Sequence, residues 1–483
     1  MKDLTSFVRR MWYQSDFMNF RKRRRVNLAV GVAVAAYITT SGAAALIPFP
    51  LGQEQLGQLF FPQEVPYAWM TSLGSATYWL LFLLTLVVLP IAAIVTEKVF
   101  SSATLSFSDE IPLWIPLVLA GAMIAFCIWR LAQAGGLSAS EAWDQSLCYE
   151  EKILRRVELF NLLGNKYYSF VYSSLPIVGC YLLARGLLKR ENVSLGACAA
   201  LSLIVLWLDV ATIQKAPALL YVLVLGLTLA LSGFGLVRTA ILTVAAGGTI
   251  YLALALSQFC EIKNVGEPEN TVQAGPLGRS PGIPPPGSDS SSALNPPSSV
   301  LRSPSAAVGE PSESAFSAVL QKAIWIVRSG VFRMAVGTPY YVQIFSDPDQ
   351  RCGIVRPTFS GLLAPQPCYP ATKVFAVIYP AITYTMGSQP AGVSLSGYAE
   401  GGLFYAVLAT VIAGSLIGVI SVLARGNDPM SIAMQVAGCL YAYYVTQVPL
   451  TATLLDSYGL VWLIAPLAAM RALAWMISII LRK

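Results

Sequence analysis

The chain has 483 residues, of which 55% are apolar and only 12% charged, with a formal net charge of +7. Repeated apolar runs of about 20 residues, the length of helix that crosses a bilayer core, exclude a soluble globular protein. Their continuity, without period-two alternation, excludes a transmembrane β-barrel. The expected fold is an all-α polytopic membrane protein.

Residues 1–25 combine Phe7, Met11, Trp12, Phe17 and Phe20 with Arg9, Arg10 and a basic cluster from Arg21 to Arg25. That pairing of aromatic and basic side chains suits a helix lying on an anionic membrane surface. The first apolar run, Val26 to Pro48, is too long for a signal h-region, which predicts an uncleaved N-terminus. The basic cluster beside it predicts a cytoplasmic N-terminus.

Further spans are expected from Thr77 to Val95, Ile111 to Trp129, Tyr167 to Leu188, Leu195 to Ile213, Pro217 to Phe234 and Thr239 to Ser257. After a long interruption come Leu403 to Leu423, Met430 to Leu450 and Leu460 to Ile480. Ten spans put Lys98, Lys189, Arg190, Arg238, Arg425, Arg482 and Lys483 at short cytoplasmic ends, as the positive-inside rule requires, with the C-terminus also inside. The total rises to twelve if Phe316 to Gly337 and Lys373 to Ser388 both cross. Amphipathic or re-entrant helices are preferred there, because Lys322, Arg328 and Arg333 break the first and Pro380 the second.

Two long connections fall outside. Residues 131–166 read as an external amphipathic helix near 138–164, with a capping box from Ser138 to Glu141 and apolar residues Trp143, Leu147, Leu154, Val157, Phe160 and Leu163. Residues 258–401 form the dominant external loop. Within it, 264–315 is rich in Pro, Ser and Gly and lacks aromatic side chains, the composition of a disordered insertion.

Eight cysteines show no C-x-x-C spacing, so neither a zinc nor a haem site is expected. Cys127, Cys180, Cys198 and Cys439 fall in apolar runs as small buried thiols. Cys352 and Cys368 lie in the large loop, where an oxidising compartment would allow a disulfide between them. Histidine is absent from the whole chain, which removes Ser-His-Asp schemes, a histidine base and histidine-ligated metals.

Ionisable groups at membrane depth are costly and tend to face a partner or a cavity. Asp209 comes six residues before Lys215, which opens the next helix. The pair reads either as a structural ion pair or as a phosphate-facing lysine with a nearby carboxylate. Arg471, midway along the last span, reads as an ion-pair partner of Asp209 or Glu400, or as a substrate contact. Arg328 and Arg333 suit either lipid phosphates or a pyrophosphate, which guanidinium grips in a bidentate fork. Tyr340, Tyr341 and Tyr379 suit sugar stacking or an aromatic belt. Glu400, between Tyr398 and Gly402, either caps the following helix or positions an acceptor hydroxyl.

In the layout of ten to twelve spans with one large late loop, in Lys215 before an apolar helix, in Arg328 and Arg333 followed by Thr338 to Tyr341, and in Tyr398 to Gly402, the chain resembles the bacterial O-antigen polymerase (Wzy) group. The resemblance implies a GT-C-like architecture in the bacterial inner membrane. It further implies metal-independent polymerisation of undecaprenyl-pyrophosphate-linked repeat units at the periplasmic face, with no cofactor. Donor and acceptor glycans, membrane lipid and a chain-length regulator would be the partners, and nucleic acid would not. Carried onto this sequence, the catalytic candidates are Arg328, Arg333, Glu400 and Asp209, and the substrate-binding candidates Lys215, Tyr340, Tyr341 and Tyr398. The Pro/Ser-rich insertion departs from the family layout. An O-antigen ligase-type transferase and a lipid-linked oligosaccharide transporter are the alternative readings.

Overall fold

A computed structural model describes residues 25–46, 72–101, 111–135, 149–212, 216–256, 335–353, 368–378, 388–456 and 458–481. All of these belong to one unit of the chain, and all regular structure among them is helical. The helices are α1 (Arg25–Thr39), α2 (Ala76–Leu83), α3 (Leu89–Val99), α4 (Trp114–Gln133), α5 (Tyr149–Ser169), α6 (Leu175–Lys189), α7 (Asn192–Ala211), α8 (Ala216–Leu231) and α9 (Leu236–Leu256). Further along the chain come α10 (Gly337–Phe345) and α11 (Pro370–Ile378), both within the expected large loop, then α12 (Val393–Leu423), α13 (Pro429–Tyr444), α14 (Leu450–Leu455) and α15 (Leu460–Leu481).

Seven helical stretches among the described residues are long and apolar enough to cross a membrane; α8 and the first apolar segment are shorter. Large apolar side chains such as Leu203, Val244 and Phe404 point outward, at 71%, 74% and 80% exposure. That is an all-α, multi-span, membrane-like protein. The expected surface helix before Val26 and the Pro/Ser-rich insertion lie outside the described residues. The apolar stretch after Lys373 is described as far as Ile378, where it belongs to α11, whose nine residues reach about 14 Å, and its remainder lies outside the described residues.

Local sequence explains where the helices bend and stop. Ser75 caps α2 by accepting from the Tyr78 amide at 3.1 Å. Asp428 caps α13 by accepting from the Ser431 amide at 3.0 Å, with Pro429 at the first helical position. Single π-turns, Leu84–Val88 and Phe170–Ser174, join α2 to α3 and α5 to α6. Each precedes a proline, Pro90 or Pro176, whose ring would clash with the carbonyl four residues back. Those carbonyls, of Leu86 and Tyr172, fall inside the π-turns, where the widened winding accommodates them.

Between helices in lipid there is little hydrophobic drive, so close backbone contact has to hold them together. The closest such contact joins α12 to α3. A Cβ on Gly414 would sit 2.5 Å from the Leu89 carbonyl oxygen, and one on Gly418 2.5 Å from that of Ala93. Ala409 and Ala413 continue the small-residue face, fully buried. α6 and α13 are the most enclosed helices, with Tyr441, Val436, Ile177 and Val178 at zero exposure.

Two arginines tie one end of the bundle. Arg185 donates to Glu191 at 2.8 Å and to the Ile111 carbonyl, and Ser194 joins the same carboxylate. Those hydrogen bonds hold the Glu191 carboxyl below its ordinary range. Arg425 reaches the Ser101 carbonyl at 2.5 Å and pairs with Glu97 at 3.5 Å. These ties sit beside Lys98, Lys189 and Arg190, the residues expected at the cytoplasmic end.

Replacing Gly418 by Leu should lower stability by about 1–3 kcal/mol through overpacking. Gly121→Leu, where a Cβ meets nothing within 4 Å, should stay within about 0.5 kcal/mol of the parent. Thermal unfolding of the two variants in the same detergent checks the difference.

Candidate functional site

The first helix after the large loop begins ten residues earlier than expected, at Val393 rather than Leu403, and it is not straight. At Gly402 the backbone takes φ 76° and ψ −167°, a region essentially open only to glycine. The chain reverses there. A Cβ on Gly397 would lie 3.0 Å from the Ala406 Cα, whereas nine residues of straight helix span about 13 Å. The inner segment, 393–401, therefore folds back along the start of the outer one.

That inner segment is anchored on several sides. Val393 donates its amide to the Val445 carbonyl at 2.9 Å, and Cys352 donates to Ala399 at 2.9 Å. Ser394 and Thr85 share a buried hydrogen bond of 2.8 Å. Cys352 is joined to Cys368 by a disulfide, so the thiol pair the sequence offered is a bond. It links the segment that follows α10 to the residues just before α11.

Glu400 is 3% exposed, and neither carboxylate oxygen has a hydrogen-bond partner. This corrects the capping alternative: a cap accepts backbone amides, and this carboxyl accepts none, because the reversal at Gly402 turns it into the interior. Tyr341, Tyr369 and Tyr405 lie within its electrostatic reach. Outside the spans, Tyr369 and Tyr341 have their hydroxyls pushed above the ordinary phenol value, chiefly by burial and secondarily by nearby carboxylates. The neighbouring Gly401 is exposed, so the protein surface is one residue away.

A cation missed at the sequence level stands at the same reversal. Arg351 donates Nε to the Phe345 carbonyl at 3.2 Å, and its guanidinium lies 5.6 Å over the Tyr398 ring and against Gly402. The available signal was its position next to a pairable cysteine, which predicts a fixed rather than a floppy arginine. Lys373 braces the same region through Gln350, at 2.7 Å to the side-chain oxygen.

The expected site residues divide into three sets. Glu400, Tyr340, Tyr341 and Tyr398 come together around the reversal. Tyr341 is fully buried and donates its hydroxyl to the Gln389 carbonyl at 2.9 Å, so in this conformation it offers no ring face to a sugar. Asp209 belongs to a different cluster, near Tyr172, Tyr444 and Tyr458. Lys215, Arg328, Arg333 and Tyr379 lie outside the described residues. The expected pairing of Arg471 with Asp209 or Glu400 is not formed, since both carboxylates lack a partner. The two clusters approach one another through Asp456, within electrostatic reach of both Tyr369 and Tyr458.

Comparison with protein-family models, with curated proteins and with solved structures finds no match to this chain.

Replacing Cys352 and Cys368 together by serine should remove about 3 kcal/mol of stability, the chain-entropy value for a cross-link of 16 residues' separation. Thermal melts of the double variant against the oxidised parent measure it.

Proposed function

We propose that the chain is a membrane-embedded glycosyltransferase that polymerises oligosaccharide repeat units carried on a polyprenyl pyrophosphate, with Glu400 at its reaction centre. The observation that carries this reading is a buried carboxyl with no hydrogen-bond partner on either oxygen, next to a backbone reversal at Gly402 against which Arg351 is packed. A carboxylate so placed can orient a sugar hydroxyl and accept its proton. A guanidinium such as that of Arg351 can neutralise charge on a departing pyrophosphate, an effect strengthened where water is excluded.

In the proposed step, the acceptor hydroxyl oxygen forms a bond to the anomeric carbon of the donor glycan. The bond from that carbon to the pyrophosphate oxygen breaks, the pyrophosphate leaves with the electron pair, and the hydroxyl proton passes to Glu400. Tyr398, covered by Arg351, and Tyr340 would line the approach. Arg328, Arg333 and Lys215 would add cationic contacts to the diphosphates. The likeness in layout to the O-antigen polymerases supports the substrate class. It would put the reaction at the periplasmic face of a bacterial inner membrane, both termini being cytoplasmic.

One observation favours a second reading, transport of the same lipid-linked glycan. Transporters place polar groups at interrupted helices, and the stretch from Val393 to Leu423 is interrupted at Gly402, next to Glu400.

Purified protein given lipid-linked repeat units, without nucleotide sugar, should yield a ladder of longer glycans. Glu400→Gln should slow its growth by about 10²–10⁴-fold, the usual range for a lost general base, at unchanged folding. Arg351→Gln should slow it by at least tenfold. A ladder growing at the parent rate in the Glu400 variant removes the assignment, and movement of intact substrate across sealed vesicles without lengthening selects the transport reading.

A further inference from the structure

The second unpartnered carboxyl, Asp209, points to a different chemistry. It is 1% exposed, and neither of its oxygens has a hydrogen-bond partner. It stands in the last turn of α7, which ends at Ala211 with no basic residue in that turn. The carboxyl thus adds its negative charge to the negative end of a helix dipole. Thr212, fully buried, spends its hydroxyl on the Asp209 carbonyl at 2.9 Å.

The surroundings offer more oxygens, and no cation among the described residues bonds to the carboxyl. Tyr167, Tyr172, Tyr444 and Tyr458 lie within electrostatic reach of Asp209. The hydroxyls of Tyr172 and Tyr444 are both buried; that of Tyr444 has no hydrogen-bond partner among the described residues, and that of Tyr172 lies by the Thr212 hydroxyl. Tyr167 donates to the Leu208 carbonyl at 3.3 Å, in the same helical turn.

Ring geometry argues against a sugar in this cluster. Tyr172 stacks on Tyr458 with centroids 5.4 Å apart, and Tyr444 packs on Tyr458 at 5.0 Å. The faces a saccharide would stack on are occupied by neighbouring rings. What remains is one unclaimed carboxylate with phenol oxygens about it, the hard oxygen donors that alkali and alkaline-earth cations prefer. No group of three His, Cys, Asp or Glu converges among the described residues, and a single carboxylate matches one positive charge better than two. Helix C-terminal ends serve this purpose for sodium in membrane transporters.

We propose that Asp209, with the hydroxyls of Tyr172 and Tyr444 and the end of α7, binds a single alkali cation, of which sodium is the ion to test. The proposal is independent of the glycan reading, because it uses neither Glu400 nor Arg351.

The test is thermal unfolding of the purified full chain in detergent while N-methylglucamine chloride is exchanged for sodium chloride at constant ionic strength. The melting midpoint should rise with sodium and saturate, and radioactive sodium should bind at a single site per chain. Asp209→Asn should abolish both signals, Tyr444→Phe and Tyr172→Phe should weaken the apparent affinity severalfold, and Lys215→Met should leave the response in place. A parent that neither binds sodium nor responds to it overturns the proposal, as does an unchanged response in Asp209→Asn. A response that appears only in Lys215→Met also overturns it, since the lysine is then the counter-charge. Should the asparagine variant fail to fold, the two phenylalanine variants decide: parent affinity in both rejects the site.

Discussion

One backbone conformation, that of Gly402, holds the candidate site together. A residue with a Cβ would resist the positive φ, and the stretch from Val393 would then run on as a straight helix. The reversal instead lays the inner segment against Ala406, turns Glu400 into the interior and brings Gly402 against Arg351. Gly164 takes a closely similar conformation, φ 74° and ψ 163°, within α5. There Arg130 secures the bend by donating to the Leu162 and Leu163 carbonyls, which would otherwise end a helical segment unpaired. Both glycine breaks are held from outside by an arginine bonded to backbone oxygen.

The rest of the scaffold answers to the weak attraction between helices in an apolar solvent. Gly414 and Gly418 let α12 press its backbone onto α3, and the prolines of α3 and α6 are absorbed by π-turns instead of sharp kinks. Polar side chains in the spans mostly bond within their own helix, as Thr228, Thr410 and Ser421 do toward carbonyls four residues back. Among the buried polar side-chain groups without a hydrogen-bond partner in the described residues, two are carboxyls, Asp209 and Glu400, and the rest hydroxyls. A group left so at membrane depth costs stability.

Charge is distributed unevenly along the bundle. At the end carrying Lys98 and Lys189, acids meet bases: Glu191 with Arg185, Glu97 with Arg425. Asp209 and Glu400 belong to the opposite helix ends, following from the up-and-down path of α7 and α12, and have no such partner among the described residues. Glu191 and Glu97 are thus held in ion pairs, whereas the two buried carboxyls have none among the described residues.

Composition and the length of the apolar runs by themselves determined the class, an all-α multi-span protein with seven helical stretches long and apolar enough to cross among the described residues, because the requirement to bury backbone polar groups in lipid leaves a continuous apolar run little choice. The sequence also marked Glu400 and Asp209 as charges out of place, and offered Cys352 and Cys368 as a pair. Only the tertiary structure decided what those residues meet. Nothing local in Gly397 to Gly402 distinguishes a helix cap from a reversal, since both use glycine; the difference lies in Ala406, Val445 and Cys352, which are distant in the chain or brought near only by the bend. Arg351 gained its place by Tyr398 in the same way. Spacing along a chain orders helices, whereas the partner of a buried charge depends on which helices pack side by side.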